Sequence, residues 1–356
     1  MRRALLRNRW VRSALVLPLL GGAIVLLWWR GPDWDAVVDV FTIVDWWWIV
    51  AALGLNLASV ASRSLSWRTA IHQALPAPHP PYPRVFSAFA VGLFANAVLP
   101  GRVGELARVA VLTRRLPRGQ GSTAMLLGTV FAHRLFDVIP ALLLIGYVLM
   151  TARLPDWAIP SLALVAGIGA ALFAGAIVVA RLRHRPLEAA GRVRSLLGGA
   201  RRGLGVMRSP LPATVATFFQ CVGWFLQLLA VYLAMRAFGI HEPLPAAGLV
   251  LLLMNVATIF PLWPGNIGLL QAAVAFPLVS YGVAYARGFA FGLGLQVMEM
   301  SVGVGVGLLF LAREGISFAM LRRMEAETEA EAEELGAEQP EGMTSDGARS
   351  RARVPG

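Results

Sequence analysis

Residues 96–108 read Asn-Ala-Val-Leu-Pro-Gly-Arg-Val-Gly-Glu-Leu-Ala-Arg, which places a Pro-Gly break, two arginines and a glutamate inside an otherwise apolar stretch. A second version of the core, Pro264-Gly265-Asn266-Ile267-Gly268, interrupts another apolar stretch in the other half of the chain, with Gln271 three residues further on. Both read Pro-Gly-x-(Val/Ile)-Gly. Glu105 lies three residues from both Arg102 and Arg108, so the three can share one helix face. A helix that starts just past such a break turns free N–H groups and the positive end of its dipole towards an anion. Arg102 would add charge and a planar fork suited to phosphate.

A second ionisable group, His133, Arg134 and Asp137, falls near the middle of the apolar segment 121–150. Asp137 is spaced to pair with Arg134 at i,i+3 and to reach His133 at i,i+4. Arg134 could join Arg102 on an anion, while Glu105 and Asp137 balance the arginines or hold a proton or a cationic group. An ionisable side chain at the bilayer centre costs roughly 2.5–3.5 kcal/mol on insertion scales, and such residues point to function by default. Plainer readings exist for each. Arg134 and Asp137 can be a self-neutralising structural pair, Arg102, Glu105 and Arg108 can sit at headgroup level, and Gly101, Gly104, Gly265 and Gly268 can be close-packing positions.

These residues need a membrane around them, and the composition supplies one. Of 356 residues 57% are hydrophobic and 15% charged, and mean hydropathy is +0.64. Several apolar runs are long enough to span a bilayer. The net charge of +12 is uneven: from Glu325 onward nine acids face three arginines, which leaves 29 arginines against 11 acids before that point. The basic residues are all arginine and gather in loops beside apolar runs, where the positive-inside rule accounts for them without nucleic acid. The lone cysteine, Cys221, lies in an apolar segment, which excludes a disulfide framework and a cysteine metal site.

Charge then orients the segments. Residues 13–29 follow five arginines and end in Trp28-Trp29-Arg30 with no small-x-small cleavage site, so they read as a retained span starting in the cytoplasm. The acidic loop at Asp33, Asp35, Asp39 and Asp45 suits the outer face, and residues 46–65 return to the cytoplasm at Arg63 and Trp67-Arg68. Residues 85–113 carry arginines at both ends, which makes them a re-entrant hairpin with Pro100-Gly101 at its tip. Residues 121–150 cross outward and 160–180 cross back to a loop with eight arginines. Residues 212–235, a second hairpin at 246–281 and a last span at 289–312 repeat the order in the opposite sense. The expected fold is all-α and polytopic: six full spans and two re-entrant helical hairpins in an inverted repeat, with halves at 46–150 and 212–312. Broken helices in matching positions of two halves point to a transport site. Residues 1–324 form the membrane unit in this reading, and 325–356 an acidic, disordered cytoplasmic tail.

At these residues the chain resembles the flippase-like family, the transmembrane region of lysylphosphatidylglycerol synthases. The carriers are Arg63…Trp67-Arg68, Asn96…Leu99-Pro100-Gly101-Arg102-Val103-Gly104-Glu105…Arg108, Arg134…Asp137 and Pro264-Gly265…Gly268. The resemblance implies a multi-pass inner-membrane protein that moves a lipid between leaflets, such as an aminoacylated phosphatidylglycerol, or in some relatives a polyprenyl-carried glycan. Two positions depart from the pattern. The second hairpin commonly reads Pro-Gly-Gly-x-Gly with a glutamate three residues on, where this chain has Asn266 and Gln271. His133 stands where a glutamate often precedes the Arg…Asp pair.

The resulting expectation is a lipid translocase for an anionic or aminoacylated phospholipid or a polyprenyl-linked lipid. A secondary transporter of a small soluble anion, or a non-catalytic accessory of lipid or glycan assembly, uses the same residues. The chain has no HExxH or GxSxG motif, and no soluble domain is read after the last span, so no enzyme, metal or cofactor is expected. The expected substrate-binding residues are Asn96, Pro100, Gly101, Arg102, Gly104, Glu105, Arg108, Arg134, Asp137, Pro264, Gly265, Asn266, Gly268 and Gln271. The expected partner is an anionic membrane lipid, in the cell membrane, with both termini cytoplasmic.

Overall fold

A computed structural model describes residues 33–99, 103–116, 123–154, 158–181, 204–258 and 266–314. The expected first span at 13–29, the acidic tail and the tip residues Pro100, Gly101, Arg102, Pro264 and Gly265 lie outside the described residues. Among the described residues the chain is all-helical: α1 (Trp34–Thr42), α2 (Trp46–Ala74), α3 (Tyr82–Val98), α4 (Gly104–Arg115), α5 (Thr123–Phe136), α6 (Val138–Thr151), α7 (Ala158–Arg181), α8 (Pro210–Ala237), α9 (Leu244–Ala257), α10 (Leu269–Val279) and α11 (Tyr285–Glu314), with a 3-10 turn at Leu204–Arg208. Five stretches are long and apolar enough to cross a membrane: Trp46–Ala74, Thr123–Thr151, Ala158–Val178, Pro210–Ala237 and Tyr285–Arg313. The protein is a multi-pass all-α membrane protein.

The acidic loop contains structure that charge alone did not suggest. Asp33 caps α1, its Oδ1 accepting from the N–H groups of Asp35 and Ala36 at 3.1 and 3.3 Å. Asp45 caps α2 by accepting from Trp47 N at 3.0 Å. Each satisfies a backbone donor that the helix start leaves unpaired. The segment 121–150 is also not one unbroken helix. Pro140 cannot donate to the Phe136 carbonyl one turn back, and the helix is interrupted at Asp137, which separates α5 from α6.

The centre of the molecule is the pair α2–α8. Ser59, Ser62 and Ser66 recur at intervals of three and four and so line one face of α2. Their hydroxyls donate to the backbone carbonyls of Gly223, Phe219 and Ala216 at 2.7, 2.7 and 2.9 Å. Asp45 N donates to Ala237 O at the far end, at 3.0 Å. Partner numbers fall on α8 as they rise on α2, so the two helices run antiparallel along their length. Close approach is possible because Gly223 has no side chain; a Cβ there would lie 2.7 Å from Arg63 Cγ.

Packing around this pair is reciprocal. The first helix of one broken pair, α3, lies on α11, and its counterpart α9 lies on α6. Gly307 opens the first contact and Gly248 the second, where an added Cβ would meet Val148 Cγ2 at 3.0 Å. The returning helices behave alike, α4 packing on α5 and α10 on α11. The apolar core divides accordingly. One cluster joins the start of α2 and the end of α8 to α9, α10 and the start of α11. The other joins the end of α2 to α3, α4, α5 and the end of α11. The two helical pairs α3–α4 and α9–α10 therefore sit at opposite ends of α2–α8.

Overpacking a tight helix contact costs about 1–3 kcal/mol. Gly223→Leu is therefore expected to lower the thermal unfolding temperature in detergent. Gly305→Ala, with nothing within 4 Å of the added Cβ, should leave it unchanged.

Candidate functional site

Glu105, in the first turn of α4, is the hub of the charged residues. Its Oε2 pairs with Arg108 Nη2 at 2.6 Å on the same helix. Its Oε1 accepts from Arg134 Nε at 2.9 Å and, in a shorter contact, from Arg134 Nη2. The two groups read separately in the sequence are thus one cluster, with Glu105 held between two arginines. Arg134 also reaches Asp137 at 3.4 Å, the spacing expected of i,i+3.

Asp137 does not turn to His133. Its Oδ1 accepts from Trp224 Nε1 at 2.8 Å and from Gln220 Nε2, both on α8. The interruption of the helix at Asp137 places this carboxylate at the junction with the other half of the chain. His133 is buried edge-on to Phe89, with ring centroids 5.8 Å apart and Nδ1 without a partner. Arg108 is buried too, its guanidinium 4.8 Å from the Trp67 ring and 5.4 Å from Phe89. Trp67 is fixed by donating from Nε1 to Thr129 Oγ1 at 3.1 Å. Aromatic faces stabilise a desolvated cation by about 2 kcal/mol or more. They replace the water that Arg108 has lost.

Arg63 and Trp67, read as the cytoplasmic end of the second span, lie inside the protein instead. Helix α2 continues to Ala74, and Trp67 is fully buried. Arg63 donates from Nη2 to Gln227 Oε1 at 2.6 Å and lies 5.4 Å from the Trp224 ring centroid. Gln227 Nε2 donates to Glu299 Oε1 on α11 at 3.3 Å. Two lines of polar contacts therefore meet at Trp224. One runs from Arg108 through Glu105, Arg134 and Asp137 to Gln220 and Trp224. The other runs from Arg63, whose guanidinium lies over the Trp224 ring, through Gln227 to Glu299. Gln220, Trp224, Gln227 and Glu299 did not stand out in the sequence. The signal available was polar residues inside apolar spans: Gln220 and Gln227, seven residues apart on one face of one span, and Glu299 in another.

The helix starts are built differently from the sequence expectation. Gly104 N donates to Asn96 Oδ1 at 2.8 Å, and Gly268 N donates to Gln271 Oε1 at 2.6 Å. Each first amide is therefore occupied by a side chain of its own helical pair. Asn96 and Gln271 are capping residues here, Gln271 filling the half of a capping box that reaches back from N3. Gly104 is a packing glycine as well: an added Cβ would run into Gly92 O and the Asn96 side chain.

Asn266 has φ +47°, the left-handed region that L residues other than Asn and Asp rarely enter. Its Nδ2 donates to Ala257 O at 3.0 Å and so ties the start of α10 to the end of α9. Gly268 follows at φ +92°.

The sequence matches the family described as lysylphosphatidylglycerol synthase TM region over residues 10–318. The chain belongs to that family. A UPF0104 membrane protein of Methanothermobacter thermautotrophicus is 25% identical over 283 residues, covering 73% of this chain and 80% of the relative. The UPF0104 membrane protein MJ1078 of Methanocaldococcus jannaschii is 23% identical over 208 residues, covering 56% of this chain and 84% of its own length.

The backbone at Asn266 explains how asparagine can stand where the family motif commonly has glycine. Asn266→Val is expected to cost about 1–2 kcal/mol for the left-handed conformation, plus about 1 kcal/mol for the lost hydrogen bond. Asn266→Gly should lose only the second term, so thermal unfolding of the two variants is expected to rank Gly above Val.

Proposed function

We propose that the protein is a translocase for a lipid with an anionic headgroup, and that the Glu105–Arg134–Asp137 cluster is where the headgroup binds. The observation that carries this reading is the position of Arg134. Its side chain is half exposed (50%), while its partners Glu105 and Asp137 are 25% and 18% exposed and Arg108 only 4%. The cluster thus half-buries its anions, buries one cation and leaves one guanidinium open. A planar guanidinium is suited to a phosphate diester, and Glu105 and Asp137 hold it in place.

Lipid fits better than a free anion because of where the open arginine stands. It lies on a membrane-crossing segment, between α4 and the central pair, and an acyl chain could remain in the bilayer while the headgroup enters. The short helices favour re-entry. At about 1.5 Å per residue, the 12-residue α4 and the 11-residue α10 reach roughly 18 and 16 Å, against about 30 Å for a hydrocarbon core. Broken helices of this kind, at opposite ends of an antiparallel pair, belong to an alternating-access arrangement. Binding and movement are the whole of the proposed activity, with no chemical step.

The test is leaflet exchange of fluorescent phosphatidylglycerol in proteoliposomes, followed by chemical quenching of the outer leaflet. Arg134→Ala is expected to reduce exchange at least tenfold while the protein still elutes as a folded species from size exclusion. Arg134→Lys should recover part of it. Wild-type vesicles that leave the lipid in place but accumulate inorganic phosphate would transfer the assignment to a soluble-anion transporter.

A further inference from the structure

Glu299 is not part of the cluster just described, yet it stands midway along α11 (Tyr285–Glu314), where a carboxylate is most costly in a membrane. Among the described residues no salt bridge neutralises it directly. Its bond comes from Gln227 Nε2, and the other end of the same amide accepts from Arg63. Of the elements packed on α11, α2 brings Arg63 to bear on Glu299 and α8 brings Gln227, whereas α1, α3 and α10 bring no charged group against it. Among the described residues, one neutral amide therefore separates the carboxylate from the cation that faces it, Arg63.

The Glu299 contacts and the cluster meet at Trp224, whose ring lies under Arg63 and whose Nε1 donates to Asp137, and their joint charge balance gives this separation a consequence. Arg63, Arg108 and Arg134 stand against Glu105, Asp137 and Glu299. With Glu299 ionised the set is neutral. With a proton on Glu299 it carries one net positive charge. Glu105 and Asp137 are each bonded directly to arginine, so Glu299 is the acid of the set whose protonation breaks no ion pair. It is also tied to the second broken pair. Three residues earlier on the same helix, Gln296 Oε1 accepts from Gln271 Nε2 at 2.5 Å, and Gln271 Oε1 holds Gly268 N.

We propose that Glu299 is a proton-binding site coupled to the anion site: a proton from water converts its carboxylate to the acid, the core becomes positive, and one anionic headgroup binds at Arg134. Proton and headgroup then occupy the protein together and leave together. The inference rests on the translocase reading for its substrate class, not for its proton site.

The experiment titrates the full-length protein in detergent and weak buffer with short-chain phosphatidylglycerol, recording bound lipid and, with an indicator dye, proton uptake. The wild type is expected to take up about one proton per lipid, and its affinity to fall roughly tenfold per pH unit once Glu299 is ionised. Glu299→Gln should bind lipid with no uptake and no pH dependence. Glu299→Asp should retain both and so show that the site tolerates substitution. Lipid binding without proton uptake in the wild type, or uptake unchanged in Glu299→Gln, overturns this inference and leaves the translocase reading standing. No lipid binding together with no leaflet exchange overturns both.

Discussion

Three serine hydroxyls of α2 donate to backbone carbonyls of α8, and Gly223 lets the two helices close on one another. In a bilayer no hydrophobic force pulls helices together, because lipid tails are as apolar as the side chains. Association depends on close packing and interhelical hydrogen bonds, the latter averaging only about 0.6 kcal/mol each. A long seam of small residues is thus an effective way to hold two spans. Because the seam is antiparallel, whatever follows α2 is set against whatever follows α8 in the opposite sense. The reciprocal contacts of α3 with α11 and of α9 with α6 follow from that one alignment.

The seam also decides where charge can be buried. Arg63 enters it one residue after Ser62, and Trp224 and Gln227 meet it from α8. Asp137 approaches the same helix through Gln220 and Trp224. Each ionised group has a partner or an aromatic face, which offsets the several kcal/mol per ion that desolvation costs. Arg134 is the most exposed of the clustered charges. The cluster leaves one guanidinium open beside two carboxylates.

Two departures from the family pattern now have physical explanations. Asn266 occupies a left-handed position that glycine or asparagine can adopt, and its amide adds a tie to α9 that glycine lacks. Gln271 caps α10 and bonds to Gln296, a neutral role that a carboxylate could fill only in part. Glu299 lies about one turn further along α11 from Gln296. No comparable account is offered by the surroundings of His133, whose buried Nδ1 has no partner.

Much of this was legible before any coordinates. Apolar length identifies the spans because lipid admits only helices that satisfy their own backbone. The Pro-Gly breaks fall where α3 gives way to α4 and α9 to α10, and i,i+3 spacing joins Arg134 to Asp137 and Glu105 to Arg108. Local periodicity stops at the end of each helix, however, and the contacts that assemble the site cross between helices. The pairing of Glu105 with Arg134, the turning of Asp137 towards α8, the contact of Arg63 with Gln227, the burial of Trp67 and the capture of the Gly104 amide by Asn96 all depend on which helix faces which. A serine stripe or a lone glutamine in an apolar run has many compatible partners. Only the packed arrangement, in which Gly223 admits Arg63 and its neighbours, selects one of them.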